Sequence, residues 1–143
     1  MAVRLSRAYE AILKEQPVPT KMATGGVLWG AGDAVAQQTS DSFDMPRLSR
    51  AMAYGTIIHA PFAHVHYEFL EYFVRRFGVP KAMQAGTKLV MEQFVYWSWV
   101  SNSMYHFSMA KMEGCDVEAS VQRVYDRLWP TMKAQWAFWI PVQ

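Results

Sequence analysis

The chain has 143 residues, enough for one domain, with 18% charged, 52% hydrophobic and 15% aromatic residues and a net charge of +2. Its bases are scattered, which argues against an electrostatic footprint for nucleic acid, and the lone Cys115 excludes an internal disulfide framework and any CxxC site. A mean hydropathy near zero suits either a helix-rich soluble domain or a bundle of amphipathic membrane helices with polar inner faces.

Two arginines, Arg4 and Arg7, precede the first acid, but the apolar core of a secretory signal is missing, and a mitochondrial presequence is the lesser alternative. Residues 5–15 read as a short amphipathic helix on a membrane surface, with Leu5, Tyr9, Ile12 and Leu13 down and Arg7, Lys14 and Glu15 up. Pro17 and Pro19 end it. Three stretches nearly free of charge follow: 22–40, where Asp33 is the only ionisable residue, then 51–67 and 93–110, which contain no acid, lysine or arginine. Each is near the lower limit for a helix crossing roughly 30 Å of hydrocarbon.

Spans are therefore expected near 22–40, 51–73, 89–110 and from Trp129 onward. Phe77-Gly78-Val79-Pro80 should close the second, because a glycine cap followed by proline stops a helix. Glu113-Gly114-Cys115-Asp116 reads as a loop, and Asp116 can cap an amphipathic helix with Val117, Val121, Val124 and Leu128 on one face. In this layout the N-terminal segment and 74–88 share a side and carry eight bases against two acids. The 41–50 and 111–127 connections carry five bases against six acids, which puts the N-terminus on the positive side of the membrane.

Polar residues inside the spans are the candidates for function. Gly26, Gly30, Asp33 and Gln37 follow at steps of four, three and four, hence along one helical face. Gly26 and Gly30 form a GxxxG pair that lets two backbones approach closely in lipid. Asp33 should lie inside the bundle, within reach of Lys88, Tyr96, Ser103 or water, since an unpaired buried carboxylate costs several kcal/mol. In the third span Lys88, Glu92, Tyr96, Trp99, Ser103 and His106 give a face that is polar from end to end. In the second, Gly55, His59 and His66 lie near one face, with Pro61 expected to bend the helix between the two histidines. These groups either line a pore or bond to one another and hold the bundle together.

No metal site is expected, because His59, His64, His66 and His106 include no i, i+4 pair. Phosphate loop, dinucleotide fingerprint, nucleophile elbow and paired carboxylates are all absent from the sequence, so neither enzyme activity nor a cofactor is expected. Trp97, Trp99, Trp129, Trp136 and Trp139 read partly as interface anchors.

The chain resembles the Mpv-seventeen and peroxisomal twenty-two-kilodalton membrane protein family. The matching residues are Tyr9, Pro17, Thr20 and Lys21, then Gly26 and the block from Gly32 to Gln37, then Arg47, Arg50 and Gly55. Pro61, His64, Tyr67 and Leu70 fit GPxxHxWYxxL, Lys88 and Gln93 fit KxxxDQ, and Trp129-Pro130 with Pro141 fits the last block. Ala60, His66, Glu92 and Trp97 stand where the family has glycine, tryptophan, aspartate and commonly proline. Lys133, Trp136 and Ala137 replace glutamine, asparagine and phenylalanine in WPxxQxxNFxxxP. The family's tail beyond Pro141 is missing, so the fourth helix is cut short or the sequence is a fragment.

The resemblance implies an all-α, multi-pass membrane helix bundle with three full spans, a truncated fourth and the short N-terminal helix, residues 1–143 forming one integral membrane domain. It implies an organelle membrane, the mitochondrial inner membrane first and the peroxisomal membrane as alternative. Family members are described as relatively unselective channels for small solutes or as homeostasis factors. The partners expected are the lipid bilayer, small solutes and a second copy of the chain, but no nucleic acid. A structural membrane protein whose polar faces bind partner helices is the alternative to a channel.

Overall fold

The computed structural model describes the backbone of residues 2–38 and 42–142 and the side chains of 9–38 and 42–137. The expectations for Leu5, Arg7, Trp139 and Pro141 therefore fall on side chains outside the described residues, as does Ser40 at the end of the first expected span. Every regular element described is helical. These are α1 (Ala2–Glu15), α2 (Pro17–Gln37), α3 (Met45–Ala53), a π-helical turn (Tyr54–His59), α4 (Ala60–Arg76), α5 (Lys81–Val90), a second π-helical turn (Met91–Val95), α6 (Trp97–Met112) and α7 (Val117–Val142). No helix among the described residues is long and apolar enough to cross a membrane. The chain divides into two compact units, Met1–Val65 and His66–Gln143, with the boundary inside α4.

In the first unit, Pro17 does more than end α1. It opens α2 at a position where a missing N–H costs nothing, so this helix starts five residues before the expected Met22. Four glycines would weaken such a helix by roughly 1 kcal/mol each in isolation. Close packing is what offsets them. A Cβ on Gly25 would sit 2.7 Å from the Gly55 carbonyl oxygen, and one on Gly55 would sit 2.6 Å from the Gly25 oxygen, so two backbones touch here. Gly26 lies against Thr56, and Gly30 against Met52, whose Cγ would be 2.6 Å from an added Cβ. Trp29 meets Tyr54 edge to face at 4.8 Å beside this crossing.

The second expected span begins earlier than 51, because Asp44 caps α3 by accepting from the Arg47 N–H at 2.8 Å. Pro61 was expected to bend the helix between His59 and His66. The disturbance instead lies before it: the Tyr54–His59 segment widens into a π turn, where the Ala60 N–H reaches back to the Gly55 carbonyl. Proline has no N–H and its ring crowds the preceding turn, and a π turn absorbs that misfit without breaking the rod.

In the second unit, Gly78 at φ +61 ends α4. Its N–H donates to the Arg75 carbonyl, and the Val79 N–H donates to that of Val74 at 2.9 Å, a Schellman closure. Gly114 at φ +87 closes α6 in the same way through Cys115 and Ala110.

Two expectations fail in this unit. The third span is not one helix over 89–110, because Tyr96, at φ −151, separates the second π turn from α6. Side chains take over the carbonyls that the break releases. Ser98 Oγ donates to the Glu92 carbonyl at 2.9 Å, Trp136 Nε1 to that of Gln93 at 3.0 Å and Trp99 Nε1 to that of Phe94 at 3.2 Å. The fourth helix does not start at Trp129 either. Asp116 caps it by accepting from the Ala119 N–H at 2.7 Å, and α7 runs unbroken through Pro130. The lost bond at Pro130 is tolerated because α7 is held along α6 on the residues that follow, with Met132 wholly buried.

Candidate functional site

The polar groups of the first unit converge on the turn between α2 and α3. Asp33 and Gln37, one helical turn apart and both buried, end the inner face of α2. Asp33 accepts from Arg47 Nε at 2.8 Å and from Gln37 Nε2 at 2.6 Å. The same Gln37 amide donates to the Asp44 carbonyl at 3.1 Å, and its oxygen accepts from the Asp44 N–H at 2.5 Å. One amide thus clasps the backbone at the start of α3, and one carboxylate holds both the amide and the arginine. The Arg47 side chain is 40% exposed against 5% for Asp33, so the buried charge is compensated by a cation that still reaches the surface. Asp33 is buried and has found a donor, but its partners are Arg47 and Gln37 rather than Lys88, Tyr96 or Ser103.

Gly26 and Gly30 lie buried on the same face of α2. His59 is half-buried, edge-on to Trp29 at 5.1 Å. His64 Nδ1 lies 2.9 Å from Lys21 Nζ.

The second unit divides the face that the sequence reads as continuous. Before the break, three residues at steps of four turn toward α4: Lys88 bonds Glu71, Glu92 accepts from the Tyr67 hydroxyl at 3.3 Å, and the Tyr96 hydroxyl lies 2.6 Å from His66 Nδ1. His66 is buried and stacks on Trp97, with ring centroids 4.0 Å apart and 7° between planes. Its Nε2 is buried with no hydrogen-bond partner among the described residues.

After the break, the polar groups turn toward α7. Asn102 Nδ2 donates to Gln135 Oε1 at 2.6 Å, Gln135 Nε2 donates to Ser98 Oγ at 2.7 Å, and His106 Nε2 lies 2.8 Å from Thr131 Oγ1. Ser103 is half-buried and stands outside both sets.

Sequence reasoning missed Asp44, Asn102 and Gln135. Asp44 had a signal, an acid followed within two residues by proline, which marks a helix start. Gln135 had none, since the family pattern directs attention to position 133, where this chain has an exposed lysine. In both units the charged groups of these clusters meet donors or acceptors within the cluster, while His66 Nε2 is left without one among the described residues. No group of three or more His, Cys, Asp or Glu that could hold a metal ion occurs among the described residues.

Comparison with known proteins places this helical chain. The Mpv17 / PMP22 family profile matches residues 110–143. A protein of Eremothecium gossypii named Protein SYM1 is 31% identical over 137 residues, covering 92% of this chain and 74% of the relative. Those of Mycosarcoma maydis and Saccharomyces cerevisiae, with the same name, are 30% and 26% identical over 129 and 145 residues. They cover 87% and 96% of this chain. The chain spans 63% of the Mycosarcoma maydis protein's length and 73% of the Saccharomyces cerevisiae protein's. No solved structure matches. The chain belongs to the Mpv17 / PMP22 family.

Proposed function

We propose that this is a multi-pass protein of an organelle membrane, in first place the mitochondrial inner membrane and alternatively the peroxisomal one, that gives small solutes a weakly selective path. Family membership implies the organelle membrane; the crossings, the solute path and assembly of copies are added by this reading. The observation that carries it is the reversed polarity of α2. Its buried positions are Gly26, Gly30, Asp33 and Gln37, whereas Val27, Leu28 and Val35 are 63–65% exposed. Water would favour the opposite arrangement, and lipid favours this one, because apolar side chains then face hydrocarbon while polar ones pair inside. A short stretch of the second unit resembles it, with Gln93 and Ser98 buried beside Trp97 while Phe94, Val95 and Val100 are exposed. A helix with a polar inner face has a low average apolarity, so in this reading the spans are stable as a bundle rather than singly.

The test is flux through the purified protein in liposomes. A solute path predicts efflux of small solutes above protein-free vesicles and a shift of the cation/anion reversal potential in Asp33→Asn, which removes charge at nearly constant volume. Background efflux would overturn it. A second reading, a structural membrane protein that binds partner helices, is favoured by the hydrogen bonds that Asp33, Gln37 and Arg47, and Asn102, Ser98 and Gln135, make with one another. It predicts background efflux and an effect of Asp33→Asn on stability alone. Release of the protein by alkaline carbonate would contradict both.

A further inference from the structure

Among the described residues the half-buried bases are Lys21, Arg47, Arg50, Lys88 and Arg123. All but the first face carboxylates: Arg47 is on Asp33, Arg50 on Asp44, Lys88 on Glu71 and Arg123 on Glu113. Lys21 forms no ion pair among the described residues, and its Nζ instead lies 2.9 Å from His64 Nδ1 in the same unit. An ammonium can only donate, so His64 Nδ1 accepts and the ring carries its proton on Nε2. The other two N–H groups of Lys21 meet no acceptor among the described residues.

The surroundings on α2 do not complete the pair. Thr20 and Thr24, one residue before and one turn after Lys21, turn their hydroxyls onto the backbone carbonyls of Gln16 and Thr20. The first turn of the helix contains no acid, so no carboxylate at its start neutralises the charge. A neutral imidazole replaces one hydrogen bond of the lost hydration shell and none of the missing charge. The pair is held in place but uncompensated. Asp33, the other charged residue of α2, is already matched by Arg47, which leaves Lys21 as the net charge of this helix.

We propose that Lys21, held from one side by His64, binds the phosphate or carboxylate group of a small anionic solute. The site deepens the solute-path reading above by naming the solute class, and it rests on that reading for how the solute arrives. Two free N–H groups on a fixed ammonium supply the charge-assisted bonds that an oxyanion accepts.

Nitrogen-15 NMR of the histidine rings tests it, on the full chain in mild detergent, with inorganic phosphate and acetate as probes and chloride at equal ionic strength as control. The free protein should show His64 protonated at Nε2. Either probe should then shift the His64 Nδ1 signal in a saturable way, while the signals of His59 and His66 stay fixed. Lys21→Met, which keeps the length of the side chain, should weaken the response at least about tenfold. Lys21→Arg should keep it, since a guanidinium has donors enough for the ring and the anion together. An equal shift in chloride, or a response that survives in Lys21→Met, would overturn the proposal. Loss of melting temperature in Lys21→Met, with no response to either probe in the wild type, would reduce the pair to a structural contact between α2 and α4. In nanodiscs, a His64 shift when phosphatidylglycerol replaces phosphatidylcholine, without a response to free phosphate, would give the ammonium to lipid headgroups and overturn the solute. Efflux is read separately: background efflux with the His64 response intact would keep the site and remove the path.

Discussion

In the first unit, α2 crosses the π turn after α3 where neither side has a side chain: Gly25 and Gly55 face each other through their backbones, and one acid–amide–arginine clasp closes the end. In the second unit, α6 and α7 meet through side chains, with Asn102, Ser98 and Gln135 bonded in sequence and His106 on Thr131. Both seams bury polarity between helices, but they should fail differently. A backbone contact has no rotatable atom with which to accept an added methyl, whereas a chain of amides and hydroxyls can re-pair when one member is lost. The first seam is therefore the more sensitive to gained volume, and the second absorbs the loss of a single hydrogen bond.

The largest effect should come from Gly25→Ala and Gly55→Ala. Each places a Cβ against a carbonyl oxygen of the opposing backbone at 2.6–2.7 Å, and relieving it costs about 3 kcal/mol. Gly30→Ala is the contrast. Its obstacle is Met52, a flexible side chain that is 41% exposed and can swing away, so the loss should be about 1 kcal/mol or less. Unfolding curves in mild detergent check the ranking, and equal losses would break the distinction between backbone and side-chain contact.

Next in size is the clasp. Asp33→Leu strands Gln37 and Arg47 of their shared acceptor and should cost about 2 kcal/mol, at the low end for a buried pair because Arg47 reaches the surface. Arg47→Gln in the Asp33→Leu background should then cost almost nothing more. Full additivity in that cycle would show that the two do not act together.

Smaller still are Asn102→Leu and Gln135→Leu, at about 0.5–1.5 kcal/mol each, since interhelical hydrogen bonds in lipid average well under 2 kcal/mol. The double variant should lose less than the sum. A loss above that of Gly25→Ala would reverse the comparison.

What the sequence made legible was local or periodic. The Gly78 closure and the Asp116 cap depend on residues within one turn, and the Gly26, Gly30, Asp33, Gln37 face follows from helical spacing alone. Contacts set by distant residues were not legible. No proline or glycine marks the break at Tyr96, and one of the groups that stabilise it, Trp136 Nε1, lies 43 residues from the carbonyl it bonds. Pro130, read as a helix start, is held inside α7 by tertiary packing that outweighs its intrinsic penalty.

The expected pair lies against the neighbouring segment, Gly26 on Thr56 and Gly30 on Met52, and the adjacent Gly25 adds a backbone-to-backbone contact with Gly55 that the GxxxG spacing does not mark. In sequence, His66 and Trp97 are two separate departures from the family pattern, which has tryptophan at the first position and commonly proline at the second. In the structure they stack on each other, so they form one packing unit.

The central claim is that the apolar outer faces lie in lipid. Its most direct test is spin-label accessibility in liposomes, with single cysteines introduced at Leu28, Val35 and Val100 in a Cys115→Ser background. At all three positions the account predicts collisions with dissolved oxygen that exceed those with a water-soluble nickel chelate. Collisions dominated by the nickel chelate would place these faces in water and contradict the account.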